Sequence, residues 1–100
     1  MTSNLLRFHP EAATELEAAV EWYATRSLRA GDEFVAEFDQ AIDKILQSPT
    51  RWRRESGPWR RYVLHRFPFL ILYREHSPGI EIVAVAHGRR RPGYWRQRIG

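Results

Sequence analysis

The chain of 100 residues contains no cysteine. That excludes disulfide staples, thiolate metal sites and thiol nucleophiles, and it fits a reducing compartment. Lysine is almost missing too: fifteen of the sixteen basic residues are arginine, and Lys44 is the exception. Solubility alone does not call for that preference, whereas a guanidinium fork grips carboxylate or phosphate at two points and stacks on aromatic rings. Long apolar runs are also lacking. The longest, Phe69 to Tyr73 and Ile82 to Ala86, fall far short of a membrane span. Leu5-Leu6 is the only apolar pair ahead of His9 and Pro10, so no secretory leader and a cytoplasmic location are expected. There is no Gly-rich phosphate loop, no suggestive Ser-His-Asp order, and no metal-ligand spacing among His9, His65, His76 and His87. Neither a cofactor nor a metal is expected.

What the chain does have is core-forming material. An apolar fraction of 43% at this length predicts one folded domain over residues 1–100. The charge is unevenly placed. Residues 1–50 carry four basic and nine acidic side chains, net −5, and residues 51–100 carry twelve basic and three acidic, net +9. The basic half predicts an anionic partner, either nucleic acid or an acidic protein segment.

Residues 4–8 are apolar enough for a first strand. Pro10 suits the first position of a helix, with Glu11 and Glu15 near its positive end. Ala12, Leu16, Ala19, Val20 and Tyr23 recur at helical spacing, predicting a helix over 10–25 with Glu11, Glu15, Glu17 and Glu21 on its polar side. Residues 26–31 read as a turn, with Gly31 in a left-handed conformation. Phe34, Val35, Phe38, Ala41, Ile42, Ile45 and Leu46 predict a second helix over 32–47, ended by Ser48-Pro49. Beyond a polar loop over 50–59 come "RYVLHRF", "FLILYRE" and "IEIVAVAH", rich in β-branched and aromatic residues. Pro68 interrupts the first pair, and "HSPG" over 76–79 reads as a hairpin turn. The expected fold is α+β, in the order β-α-α-β-β-β, with a helix hairpin on one face of an antiparallel sheet.

Four stretches in order, "FHPEAATELEAAVEWY" (8–23), "GDEFVAEFDQAIDKILQSP" (31–49), "RRYVLHRFPFLILYRE" (60–75) and "VAVAHGRRRPGYW" (83–95), resemble the RelE/ParE superfamily of toxins from type II toxin–antitoxin pairs. The Phe-Pro-aromatic strand and the His-Gly-Arg-Arg-x-Pro-x-x-Trp ending resemble the ParE branch more closely. That resemblance implies a toxin neutralised by a cognate acidic antitoxin, with DNA gyrase as target and replication blocked. The RelE branch implies instead a ribosome-dependent, metal-independent mRNA endonuclease. For that chemistry Arg74, His87 and Arg90 are the candidates, and Arg90 matches a functional arginine of the RelE pattern. Another arginine of that pattern falls on Leu70 here, and its lysine-rich strand becomes one bearing Arg60, Arg61 and Arg66. These departures favour inhibitory binding over catalysis. A nucleic-acid-binding module without enzymatic activity is a further alternative, although both helices turn acidic faces outward.

Arg89, Arg90, Arg91, Tyr94, Trp95 and Arg96 form the expected surface for target or antitoxin, since exposed Arg interleaved with aromatics makes binding hot spots. Trp52 and Trp59 either cover a sheet edge or await a partner. Arg74 either serves that function or pairs with Glu81 across a hairpin. His87 either acts in the site or closes the end of its strand by a hydrogen bond. Trp22, Tyr23, Phe34 and Phe38 are expected in the core.

Overall fold

Pro10 sets the first change of direction in the structure, a computed structural model that describes residues 5–98. Strand β1 (Leu6–Phe8) stops because His9 caps helix α1 (Pro10–Arg26), its Nδ1 accepting the Glu11 N–H at 3.1 Å. Asn4, expected in β1, lies outside the described residues. Helix α2 (Leu28–Gln47) follows after one residue. Ser27 serves both helices: its N–H donates to Tyr23 O at 2.9 Å, and its Oγ accepts the Ala30 N–H at 3.2 Å. One extended residue that caps in both directions replaces the six-residue turn expected over 26–31.

Gly31 is therefore inside α2 and not in a left-handed turn. Its absent side chain has a different use, because a Cβ there would stand 2.8 Å from Ala24 Cβ and 3.0 Å from Ala24 Cα. The helices close on each other at this point. Gly31→Ala adds helix propensity yet forces the hairpin apart, and a net loss of roughly 1–3 kcal/mol is expected in urea unfolding. Equal or greater stability would show that the helix contact yields without cost.

The chain then forms β2 (Arg54–Ser56), β3 (Trp59–Val63), β4 (Phe69–His76) and β5 (Gly79–His87). The sheet order is β1-β5-β4-β3-β2. It is mixed where a purely antiparallel sheet was expected: β1 runs parallel to β5, with Leu6 opposite Ile80 and Phe8 opposite Ile82. The helix hairpin carries the chain from β1 to β2 at the opposite edge, and the chain returns strand by strand to β5 beside β1, so the parallel pair has the long connection it requires. β3 stops at Val63, short of the expected Phe67, because the Glu37 carboxylate on α2 captures the backbone N–H groups of His65 and Arg66.

The sheet is covered on both faces. Phe34, Phe38, Ile45, Ile71, Tyr73, Ile80, Ile82 and Val85 pack with the helices in the main core. On the other face Trp59, Leu72, Val83, Ala84, Ala86 and Trp95 form a second, smaller core. Burial on both sides is why β5 is apolar at nearly every position instead of alternating. Register supports this: Leu72 opposes Ala84 but Tyr73 opposes Ile82, so Val83 is an extra residue, a bulge in β5.

Candidate functional site

The bulge lies where β5 loses its neighbour. His9 N–H donates to Ile82 O at 2.8 Å, and beyond that point α1 has replaced β1. A strand edge buried there needs partners for its polar groups. They come from one ion pair. Arg98 Nη1 donates to Val83 O at 3.1 Å, and Val85 N–H donates to Glu15 Oε1 at 2.9 Å. Arg98 Nη2 and Glu15 Oε2 stand 2.7 Å apart, and the two side chains are only 8% and 16% exposed. Tyr94 Oη also donates to Glu15 Oε2, at 2.6 Å.

Glu15 thus receives Arg98, Tyr94 and a backbone N–H at once. Burial opposes its charge, but hydrogen bonds from Arg98, Tyr94 and Val85 outweigh that and hold its carboxyl below the ordinary value. Burial, reinforced by the Glu15 hydrogen bond, pushes the Tyr94 hydroxyl up, which keeps it protonated and donating. Glu15 was read as one polar position among four on α1. Its partners are 70 or more residues away in sequence, and no local spacing announces them.

This clasp fixes the C-terminal corner. Gly93 turns the chain with φ +80°, and Arg96 folds back so that its Nη1 lies 2.9 Å from where a Gly93 Cβ would be. Trp95 drops into the second core, its ring centroid 5.5 Å from that of Trp59. The Arg90 guanidinium lies 3.8 Å above the Tyr94 ring and 3.9 Å from Glu15.

Three hollows meet at this corner. A largely apolar groove of about 420 Å³ runs between α1 and the ends of β4 and β5, lined by Trp22, Tyr23, Phe69, Val85, His87 and Arg90 among others. A bowl of about 540 Å³ is formed by Arg90, Arg91, Pro92, Gly93, Tyr94, Arg96 and Gln97. A cleft of about 120 Å³ runs between the far sheet face and the corner, with Arg61, Leu70, His87, Arg90 and Arg91 in its walls. Arg90 lines all three.

The expected site residues separate into two groups. Arg89, Arg90, Arg91 and Arg96 are exposed at the corner, and Tyr94 stands half-buried among them. Trp95 and Trp59, expected at a binding surface, are buried instead, at 2% and 5% exposure. They are each other's partners, because the chain after β5 folds back over the far face. Trp52 is half-buried edge-on to Tyr62, with ring centroids 4.6 Å apart. Trp22, expected in the core, is 52% exposed on the groove and carries Arg26 at 3.5 Å from its ring. Neighbouring residues on a helix point about 100° apart, so Tyr23 turns inward and Trp22 does not.

Arg74 pairs with Glu81 at 3.0 Å across the β4–β5 hairpin, with its guanidinium 4.9 Å from the Trp59 ring. His87 closes its strand: Nδ1 accepts the Arg89 N–H at 3.1 Å, and the ring meets the edge of Phe69. His87 and Arg90 share the groove and the cleft, but Arg74 lines neither. Among the described residues no group of three or more His, Cys, Asp or Glu could hold a metal ion, and no helix is long and apolar enough to cross a membrane.

The chain belongs to the ParE toxin family of type II toxin–antitoxin systems, whose family model matches residues 6–92. Among solved structures it is similar to a chain from the chromosomal ParDE toxin–antitoxin system of P. aeruginosa. The two are 21% identical with a TM-score of 0.72, over 83% of this chain and 94% of that one, a likeness that carries the fold. No curated protein matches the sequence.

Proposed function

We propose that this toxin acts by inhibitory binding to DNA gyrase, blocking replication, and that a cognate acidic antitoxin in the same compartment neutralises it by covering the C-terminal corner. The observation that carries the reading is the position of Arg90, in the wall of the groove, the bowl and the cleft together. An antitoxin segment with an apolar side chain in the groove beside Trp22 and a carboxylate on Arg90 occupies the same guanidinium that a target needs. Competition for one residue is then enough for neutralisation.

Binding is favoured over RNA cleavage by what surrounds the cleft. Phosphoryl chemistry needs donors aimed at the developing charge. Arg90, Arg91 and His87 share the cleft wall with the apolar Leu70, Leu72 and Ala86, but Arg61 faces Glu55 at 3.6 Å and His87 Nδ1 already accepts the Arg89 N–H, so few donors are left to act together.

The test is induction in cells lacking an antitoxin, following thymidine and methionine incorporation over the first minutes. Thymidine incorporation is expected to fall first. Methionine falling first overturns the gyrase reading and makes Arg90 and His87 the start of an mRNA endonuclease site on the ribosome. Arg90→Ala, a half-exposed side chain that touches Tyr94 and Glu15 only from the outside, is expected to abolish most of the arrest while costing no more than about 1 kcal/mol of stability. Full arrest by that variant removes the corner as the working surface.

A further inference from the structure

We infer that the arginine bowl and the adjoining rim of the cleft bind the phosphodiester backbone of duplex DNA directly, without reading its sequence. Three observations lead there. The first is the separation of charge by the fold. All nine acidic residues of the first half lie on α1 and α2, while the second half has twelve arginines against three glutamates, nine of those arginines on the strands or at the corner. The two layers turn opposite signs to solvent, so the field of the molecule directs an anion to the sheet side.

The second is the state of the arginines. On the sheet side Glu81 is taken by Arg74 and Glu55 by Arg61, and Glu15 is taken by Arg98. Arg89, Arg91 and Arg96 have no carboxylate within ion-pair distance among the described residues. Arg91 and Arg96 face the same bowl as Arg90, whose plane is already set by stacking on Tyr94. Glycine at position 93 lets Arg96 fold over the backbone and close the bowl. The Arg91 and Arg96 forks, without a carboxylate partner among the described residues, and the Arg90 fork, which shares Glu15 with Arg98 at the long distance of 3.9 Å, suit phosphate oxygens, which guanidinium groups contact in pairs.

The third decides between nucleic-acid forms. Single strands are held by bases stacked on free aromatic faces. At this corner the aromatic faces are taken: Trp59 and Trp95 are buried on each other, Tyr94 is covered by Arg90 at 3.8 Å and Arg98 at 5.0 Å, and Trp22, exposed on the neighbouring groove, carries Arg26 at 3.5 Å from its ring. No helix is suited to enter a groove either, because the polar faces of both helices are acidic and α1 borders the corner through Glu15, whose charge is already taken by Arg98. What remains is contact with the backbone of an intact duplex, which supplies affinity without base readout. The inference concerns the isolated toxin and bare DNA, so it stands or falls separately from the gyrase reading.

The experiment is fluorescence anisotropy of a short labelled duplex titrated with purified toxin between about 50 and 200 mM salt. Three phosphate contacts, from Arg90, Arg91 and Arg96, predict a log–log slope of about −2.7. Arg91→Ala/Arg96→Ala should flatten the slope by about 1.8 and weaken binding at the lowest salt by at least about tenfold. Arg26→Ala/Arg29→Ala, on the helix hairpin, should change neither. Melting curves of both double variants should overlay that of the natural sequence, since all four side chains are exposed. Absent or salt-independent binding overturns the inference. So does an Arg91→Ala/Arg96→Ala variant that binds normally, or a single strand of equal length that binds more tightly than the duplex.

Discussion

Glu15→Ala is expected to lower the unfolding free energy by about 3–5 kcal/mol, the range for a buried ion pair broken from one side. For a domain of this size that is a drop in melting temperature of at least about 12 °C. The loss has three parts. Arg98, 8% exposed, keeps its charge without its closest partner; Tyr94 Oη loses its acceptor; and Val85 N–H is left unpaired on a buried strand edge. Glu11, also within 3.5 Å of Arg98 but 65% exposed, does not substitute. Glu11→Ala should change stability by no more than about 0.5 kcal/mol.

The same carboxylate makes stability depend on pH with a definite sign. Its folded value lies below its ordinary value of 4.5, so its contribution is present above that value. As pH falls through the lower folded value, that contribution is lost. Glu15→Gln removes the titration and should flatten this part of the acid limb while lowering stability at neutral pH. Urea unfolding of the three proteins at several pH values checks both statements. A Glu15→Ala protein as stable as the natural one, or a Glu15→Gln protein with an unchanged acid limb, shows that Glu15 does not hold the corner.

Trp95→Ala is expected to cost about 3–5 kcal/mol, the range for deleting a buried aromatic side chain. The second core is small, and with Trp95 gone, Trp59 loses its ring partner while Leu72, Val83, Ala84 and Ala86 face an empty volume. The main core between helices and sheet is not touched, so the corner should open before the domain unfolds. Hydrogen exchange should show it: the Arg96 and Arg98 amides, bonded to Gly93 O and Trp95 O, lose protection while those of β4 keep it. Growth arrest should fall as well, because Arg90, Arg91 and Arg96 lose their shared frame. Uniform protection in the variant shows that the corner is held by the Glu15 clasp alone.

These two residues also mark where reading the chain by itself stops. The helices were visible because apolar positions recur every three to four residues, and the last strands because apolar and β-branched residues run together. The Arg74–Glu81 pair was visible because a hairpin turn between them brings residues seven apart face to face. Glu15 was not. On α1 it has the same spacing as Glu11, which is exposed, and what separates them is the tail of the chain arriving over β5. Trp95 was read as a contact residue because it sits among arginines, a pattern that is the same whether the ring points out or in. Trp22 was read as core beside Tyr23, and only the direction in which α1 packs chose between them.

By itself, then, the sequence determined the order of elements, the family, and the division into an acidic first half and an arginine-rich second half, because local periodicity, ordered motifs and composition do not depend on how distant parts meet. The tertiary structure alone decided that the acidic half becomes one layer and the basic half the other. It also decided that Glu15 holds the corner and that Trp59 and Trp95 are spent on a second core. All of these follow from packing between segments far apart in the chain, where burial, not residue type, assigns each side chain its role.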